Sequence, residues 1–163
     1  MPMTREQRET LEDVTQFIYR EARLQDENQY DAWEALWTDD GVYWVPANGE
    51  GGDPEQVMSI IYDNRSRIAL RVRQFHTGKR FSQTPQSLLR RVVSNIEVLE
   101  DDGREVKVGA NAMIFENQVR GDTVWGVRTE YTLRRVDGDL RMARKKVTLV
   151  NNAAALYSMA FLI

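Results

Sequence analysis

Two adjacent acids, Asp39 and Asp40, stand directly before a run of aromatics in YDAWEALWTDDGVYWVP, residues 30–46. A carboxylate beside apolar rings can act as a general base, because desolvation raises its pKa toward neutrality. Neighbouring residues at a helix end point in different directions, however, so spacing alone makes no shared-proton dyad. The pair reads as a helix stop whose acids cap or pair with arginines. Asp26 and Glu27, ahead of the next helix, read the same way, as capping and ion-pairing groups. His76, in RQFHTGKR, is the sole histidine and the natural acid-base candidate. It has no sequence partner and reads as a surface or cap histidine.

The arginines could recognise a phosphate or a carboxylate. RVRQFHTGKR and LLRRVV place six basic residues, Arg71, Arg73, Lys79, Arg80, Arg90 and Arg91, within positions 71–91. Arg65, Arg67, Arg71 and Arg73 fall on more than one face of a helix, so a single anion pocket is not implied. An acidic partner surface, or pairing with Glu97, Glu100 and Asp101, accounts for them equally.

Composition excludes several chemistries. There is no cysteine among the 163 residues, which removes disulfides, thiolate nucleophiles, thiolate-held iron–sulfur clusters and Cys-containing zinc sites. One histidine cannot supply a two-His, one-carboxylate iron site or a three-His zinc site. An oxygen-only Mg²⁺ or Ca²⁺ site remains open in principle, but no loop has EF-hand spacing. The formal charge of -3 offers no excess to attract nucleic acid. No apolar run approaches the roughly 18–20 residues of a membrane span, and the charged N-terminus lacks a signal-peptide core. The expectation is a cytoplasmic protein of one domain, residues 1–163, with 42% hydrophobic residues to fill its core.

The elements that must position these groups follow from periodicity. Residues 4–27 predict a helix, with Thr4 and Gln7 as a capping box and Leu11, Val14, Phe17, Ile18 and Leu24 as its apolar stripe. A second helix is expected over Tyr30 to Trp37, ended by TDDG with Gly41 as a left-handed cap. VYWVP predicts a short strand, and ANGEGGDPEQ a loop. Residues 54–75 predict a third helix, with Val57, Ile60, Ile61, Ile68, Leu70 and Val72 apolar. From Gln86 the period becomes two. Val106, Val108, Ala110, Ala112 and Ile114 share one strand face, opposite Lys107, Gly109, Asn111, Met113 and Phe115. Gly with Asp in EDDGRE, VRGDT and VDGDL marks hairpin turns. Four strands, about 88–100, 104–118, 123–136 and 139–151, therefore form an antiparallel meander. Helices first and sheet second indicate an α+β domain enclosing a cone-shaped cavity. The apolar ending AAALYSMAFLI must pack in its own core or against another subunit.

FIYREARLQDENQYDAWEALWTDDGVYWVP closely resembles the opening of the small (β) subunit of aromatic-ring-hydroxylating dioxygenases, the Rieske-type non-haem iron oxygenases. The resemblance continues through YDNRSRIALRVRQFHTGKRFSQTPQSLLRRVVSNIEV and RMARKKVTLVNNAAALYSMAFLI, over nearly the whole chain. It implies a cystatin-like or ketosteroid-isomerase-like cone, with N-terminal helices on a long curved antiparallel sheet. It also implies a homotrimer supporting three large (alpha) subunits, which carry the Rieske [2Fe-2S] cluster and the mononuclear Fe. Electrons come from NAD(P)H through a reductase. The holoenzyme adds both atoms of O2 to an aromatic ring. On this reading the chain has no catalytic, cofactor-binding or metal-binding residue of its own. Trp33, Trp37, Tyr43, Trp44 and Trp125 then fill the cone or the trimer contacts.

The alternative is a stand-alone isomerase, dehydratase or polyketide-cyclase-like enzyme using the cone cavity, or a pure binding module. In the enzymes a base resembling an Asp precedes a Pro at the end of the first strand. Here that position is Val45, before Pro46, and a valine accepts no proton. One departure from the small subunits is that Asn152, followed by Ala153 to Ala155, stands where an acid is common.

Overall fold

The computed structural model describes residues 1–77, 86–152 and 161–163. Helix α1, Arg5–Asp26, opens on the expected capping box: Thr4 Oγ1 accepts from the Gln7 backbone N–H, and the Gln7 side chain accepts from Thr4 N–H. Its buried face carries Val14, Phe17, Ile18 and Leu24, but also Glu21 and Gln25. Asn28, at φ +56, turns the chain out of the helix in a left-handed conformation that asparagine tolerates.

Helix α2, Tyr30–Glu34, is shorter than its periodicity suggests, because Trp37 already belongs to strand β1, Trp37–Pro46. TDDG is thus not a helix stop. Trp37 pairs with Met142 and Val42 with Arg144 on strand β6, Asp139–Leu149, so Thr38 to Gly41 bulge out opposite Ala143 alone. Gly41 is required there for close approach, not as a left-handed cap: a Cβ would lie 2.6 Å from Trp37 Cε3.

The expected third helix is divided. Ser59–Asp63 form strand β2, antiparallel to β1 with Val45 opposite Ile61, and only Arg65–Thr77 form α3. The β-branched pair Ile60-Ile61 favours the strand, and Asn64 caps the helix by accepting from the Arg67 N–H at 3.0 Å. Ile68, Val72 and Phe75 make its buried stripe, whereas Leu70, Val57 and Ile60 are exposed.

The meander stands as expected: β3 Leu88–Asp101, β4 Glu105–Gln118, β5 Gly121–Val136 and β6 Asp139–Leu149. The β5–β6 hairpin turns on Asp137 and Gly138, both at positive φ, as a two-residue primed turn requires. The six strands run in the order β2-β1-β6-β5-β4-β3, antiparallel except for β1 beside β6. The helices cover one face of this sheet, and the core lies between, from Trp33, Tyr43 and Ile68 to Ile114, Leu133 and Leu149. Phe161, Leu162 and Ile163 are buried in it, so the apolar ending packs in its own core at these positions. Lys79, Arg80 and Ala153 to Ala155 lie outside the described residues.

Candidate functional site

The concave side of the sheet is where an enzyme on this architecture would hold a substrate, and here the described residues fill most of it. Trp33, Trp37 and Tyr43 pack edge to face or tilted with ring centroids 5.6 to 5.9 Å apart. Tyr43 OH donates to the Ile163 carbonyl at 2.5 Å and accepts from the Ile163 N–H. Leu162 O accepts from Gln25 Nε2 and from the Arg91 guanidinium. Among the described residues, the enclosed space beside Glu21, Ala110, Tyr131 and Ile163 is a cavity of about 20 Å³, enough for roughly one water molecule, whereas the cleft of about 670 Å³ between Phe17, Arg20, Leu36 and Leu140 is open to solvent. Val45 is fully buried, opposite Ile61.

Against that wall lies an ion pair that the spacing of candidate acids did not reveal. Glu21 Oε2 sits 2.6 Å from Lys145 Nζ, and both side chains are buried. Trp33 Nε1 donates to the same oxygen at 2.8 Å, and Tyr131 OH donates to Oε1 at 2.8 Å. Burial pushes the Glu21 carboxyl up, but the charge and hydrogen bond of Lys145, with the bonds from Trp33 and Tyr131, outweigh it and hold the group below its ordinary value. Burial pulls Lys145 down, opposed by Glu21 alone. The two shifts differ because the anion has three donors and the cation one acceptor. Both partners had a signal in the sequence: Glu21 interrupts the apolar stripe of α1, and Lys145 alternates with Val147 and Leu149.

The acids and bases singled out from spacing are distributed differently. Asp40 accepts from Arg134 Nη1 at 2.8 Å and from Thr38 Oγ1 at 2.7 Å, and those hydrogen bonds hold its carboxyl down to about 2. An anion fixed so low is no base at neutral pH. Asp39 is exposed beside it. Asp26 takes both the Arg91 guanidinium, at 2.5 Å, and the Arg91 N–H, while Glu27 pairs with Arg23. Arg71 pairs with Asp63 and Arg65 with Glu34. Pairing therefore accounts for Arg65, Arg71 and Arg91, but not with the acids expected: Glu100 meets Lys107, and Asp101 meets Arg135. His76 Nε2 lies 2.8 Å from Asp31 Oδ1, with its ring edge-on to Tyr30. This surface link from α3 to α2 spans 45 positions.

Glu116 is a second buried carboxylate, held by neutral donors: Ser87 Oγ, Gln118 Nε2 and Trp125 Nε1, at 2.7 to 3.0 Å. Trp33, Trp37, Tyr43 and Trp125 fill the interior, whereas Trp44 lies on the opposite face, between Arg144 and Lys146. Asn152 accepts from Gly49 N–H and donates to the Gly49 and Pro46 carbonyls. A carboxylate there could not donate. Among the described residues, no three His, Cys, Asp or Glu side chains gather as a metal site.

The opposite face of the sheet has another character. Leu88 and Val92 on β3, Met113 and Phe115 on β4, Val124 on β5 and Val150 beyond β6 are 45 to 79% exposed. Val92 is opposite Met113, and Phe115 opposite Val124, so they adjoin across three strands. Val150 is 3.2 Å from where a Cβ on Gly126 would stand, and Gly126 is opposite Met113. A contiguous apolar surface of this kind is characteristic of interaction sites.

The sequence profile of the ring hydroxylating beta subunit family matches residues 20–155. The chain belongs to that family. It is 32% identical to the anthranilate 1,2-dioxygenase small subunit of Acinetobacter baylyi over 85% of this chain and 88% of that one. Its fold is similar to the crystal structure of the benzoate 1,2-dioxygenase beta subunit of Burkholderia mallei, with TM-score 0.76 and 24% identity over 93% and 97% of the two chains. An NTF2-like protein with a cystatin-like fold from Novosphingobium aromaticivorans also aligns, with TM-score 0.62 and 19% identity over 90% and 83%. The helix-on-sheet, cystatin-like cone is thus the fold, and the chain is a small subunit of the aromatic-ring dioxygenase type, part of an oxidoreductase complex. No helix among the described residues is long and apolar enough to cross a membrane.

Proposed function

We propose that this chain is a structural, non-catalytic subunit, one domain over residues 1–163, working in the cytoplasm. It trimerises and supports three iron-bearing large subunits. The observation that carries the reading is the contrast between an interior with room for about one water and an uncovered apolar sheet face. A chain without cysteine and with one histidine leaves the Rieske cluster and mononuclear iron to the large subunit, fed by NAD(P)H through a reductase. The anthranilate relative supports an aromatic ring as the substrate of the assembled enzyme.

A stand-alone isomerase or dehydratase is not favoured: Val45 occupies the place of its base, and the cavity does not admit a substrate. The deciding experiment is co-expression with a large subunit of a ring-hydroxylating dioxygenase from the same source, followed by light scattering and iron analysis. The expected result is a hexamer of three large and three small subunits with iron only in the large one. A chain that stays monomeric alone and fails to co-purify, or that turns over a substrate by itself, would overturn the proposal.

A further inference from the structure

We propose that Asn48 is a site of spontaneous deamidation whose rate is controlled by Asn152. The loop ANGEGG carries Asn48 directly before Gly49, the one Asn-Gly step in the chain, and both residues are exposed. Glycine places no side chain in the way of ring closure, so its nitrogen can reach the preceding carboxamide. In the reaction the Gly49 nitrogen attacks Asn48 Cγ and a new C–N bond forms. The carboxamide C–N bond breaks, and ammonia leaves with the Gly49 N–H proton. Water then opens the cyclic imide to aspartate or isoaspartate.

The structure restrains this nucleophile. Gly49 N–H donates to Asn152 Oδ1 at 2.9 Å, and Gly49 O accepts from Asn152 Nδ2 at 2.8 Å. The same Nδ2 reaches Pro46 O at 3.3 Å. Asn152 is itself buried, at 8% exposure, so it grips both polar groups of Gly49 from a fixed position. Ring closure requires the Asn48–Gly49 peptide to rotate until its nitrogen faces Cγ, and that rotation breaks the bond to Oδ1. Two further contacts resist it. Gly51 N–H donates to Asn48 O at 3.0 Å, and Gly51 packs so closely on Trp44 that a Cβ there would fall 2.7 Å from the indole. Conversion would add a carboxylate two residues from Glu50, whose partner is Lys146 at 3.1 Å.

The test incubates the full chain at mildly alkaline pH and follows each asparagine by peptide mass spectrometry. Folded wild type is expected to lose the Asn48 amide more slowly than the same chain in concentrated urea. Asn152→Ala is expected to speed loss at Asn48 about five- to tenfold, the equivalent of one hydrogen bond, and to leave asparagines remote in sequence, such as Asn64 and Asn117, unchanged. Asn152→Asp keeps an acceptor for Gly49 N–H but loses the two donor bonds to Gly49 O and Pro46 O, and is expected to fall between wild type and Asn152→Ala. Equal rates in folded and unfolded wild type, no acceleration in Asn152→Ala, or Asn152→Asp as fast as Asn152→Ala would each overturn the proposal. The wild-type comparison needs no variant to fold.

Discussion

The two faces of one sheet differ more than any two segments of the chain. Toward the helices, β4 to β6 carry Ile114, Tyr131, Lys145 and Leu149, closed over by α1 and by Phe161 to Ile163. Away from them, the alternate positions of β3 to β5 leave Val92, Met113, Phe115 and Val124 in solvent. In a cone-fold enzyme the polarity would be reversed, with space inside and an ordinary polar surface outside. Glu21 and Lys145 are joined to each other, and among the described residues the cavity beside them is about 20 Å³, too small for a substrate. A carboxylate and an amine buried beside aromatic rings resemble a catalytic site in composition, but every atom of Glu21 that could act on a ligand is already engaged.

The strongest way to break this contrast is from the inside. Lys145→Met leaves the Glu21 anion buried without its cation, and urea unfolding should show a loss of about 3–5 kcal/mol. The double variant Glu21→Leu/Lys145→Met should recover part of it, although Trp33 Nε1 and Tyr131 OH then lose their acceptor. A single variant within about 1 kcal/mol of wild type would mean that the pair is solvated and the interior open.

From the outside, Phe115→Asp should leave the isolated chain's stability within about 0.5 kcal/mol, yet weaken association by about 2–4 kcal/mol, read by light scattering across a dilution series. An unchanged oligomer would remove this face from the assembly. Smaller is Glu116→Leu, which strands the buried Trp125 N–H and should cost about 1–3 kcal/mol in thermal unfolding, without altering assembly.

The smallest effect belongs to the opening pair of acids. Asp40 has a folded-state value near 2 against an ordinary 3.8. Its contribution is therefore present above pH 3.8 and fades as pH falls toward 2. The carboxylate is two-thirds exposed, so Asp40→Asn should cost under about 1 kcal/mol at neutral pH and progressively less in acid. A pH-independent difference would show that the Arg134 pair is not its source.

Local rules carried the sequence reading where they act alone. Thr4 and Gln7 cap α1 because capping depends on residues three apart, and the meander was visible because alternation and Asp-Gly turns are short-range signals. These rules failed where a distant strand decided the outcome. TDDG has turn composition, yet β6, a hundred residues later, takes it into the sheet as a bulge. Ser59–Asp63 lies in an apolar pattern that also fits a helix, until Trp44 and Val45 offer it a ladder.

The sequence by itself determined the helix-then-sheet order, the family through its resemblance, and the exclusion of thiolate and multi-histidine metal chemistry, since composition is independent of folding. Only the tertiary structure decided that the described residues fill the interior beside α1, that Glu21 meets Lys145 across 124 positions, and that Asp40 meets Arg134 across 94. The physical reason is that volume and charge pairing are properties of groups brought together by the sheet. No local pattern records how much space is left between them.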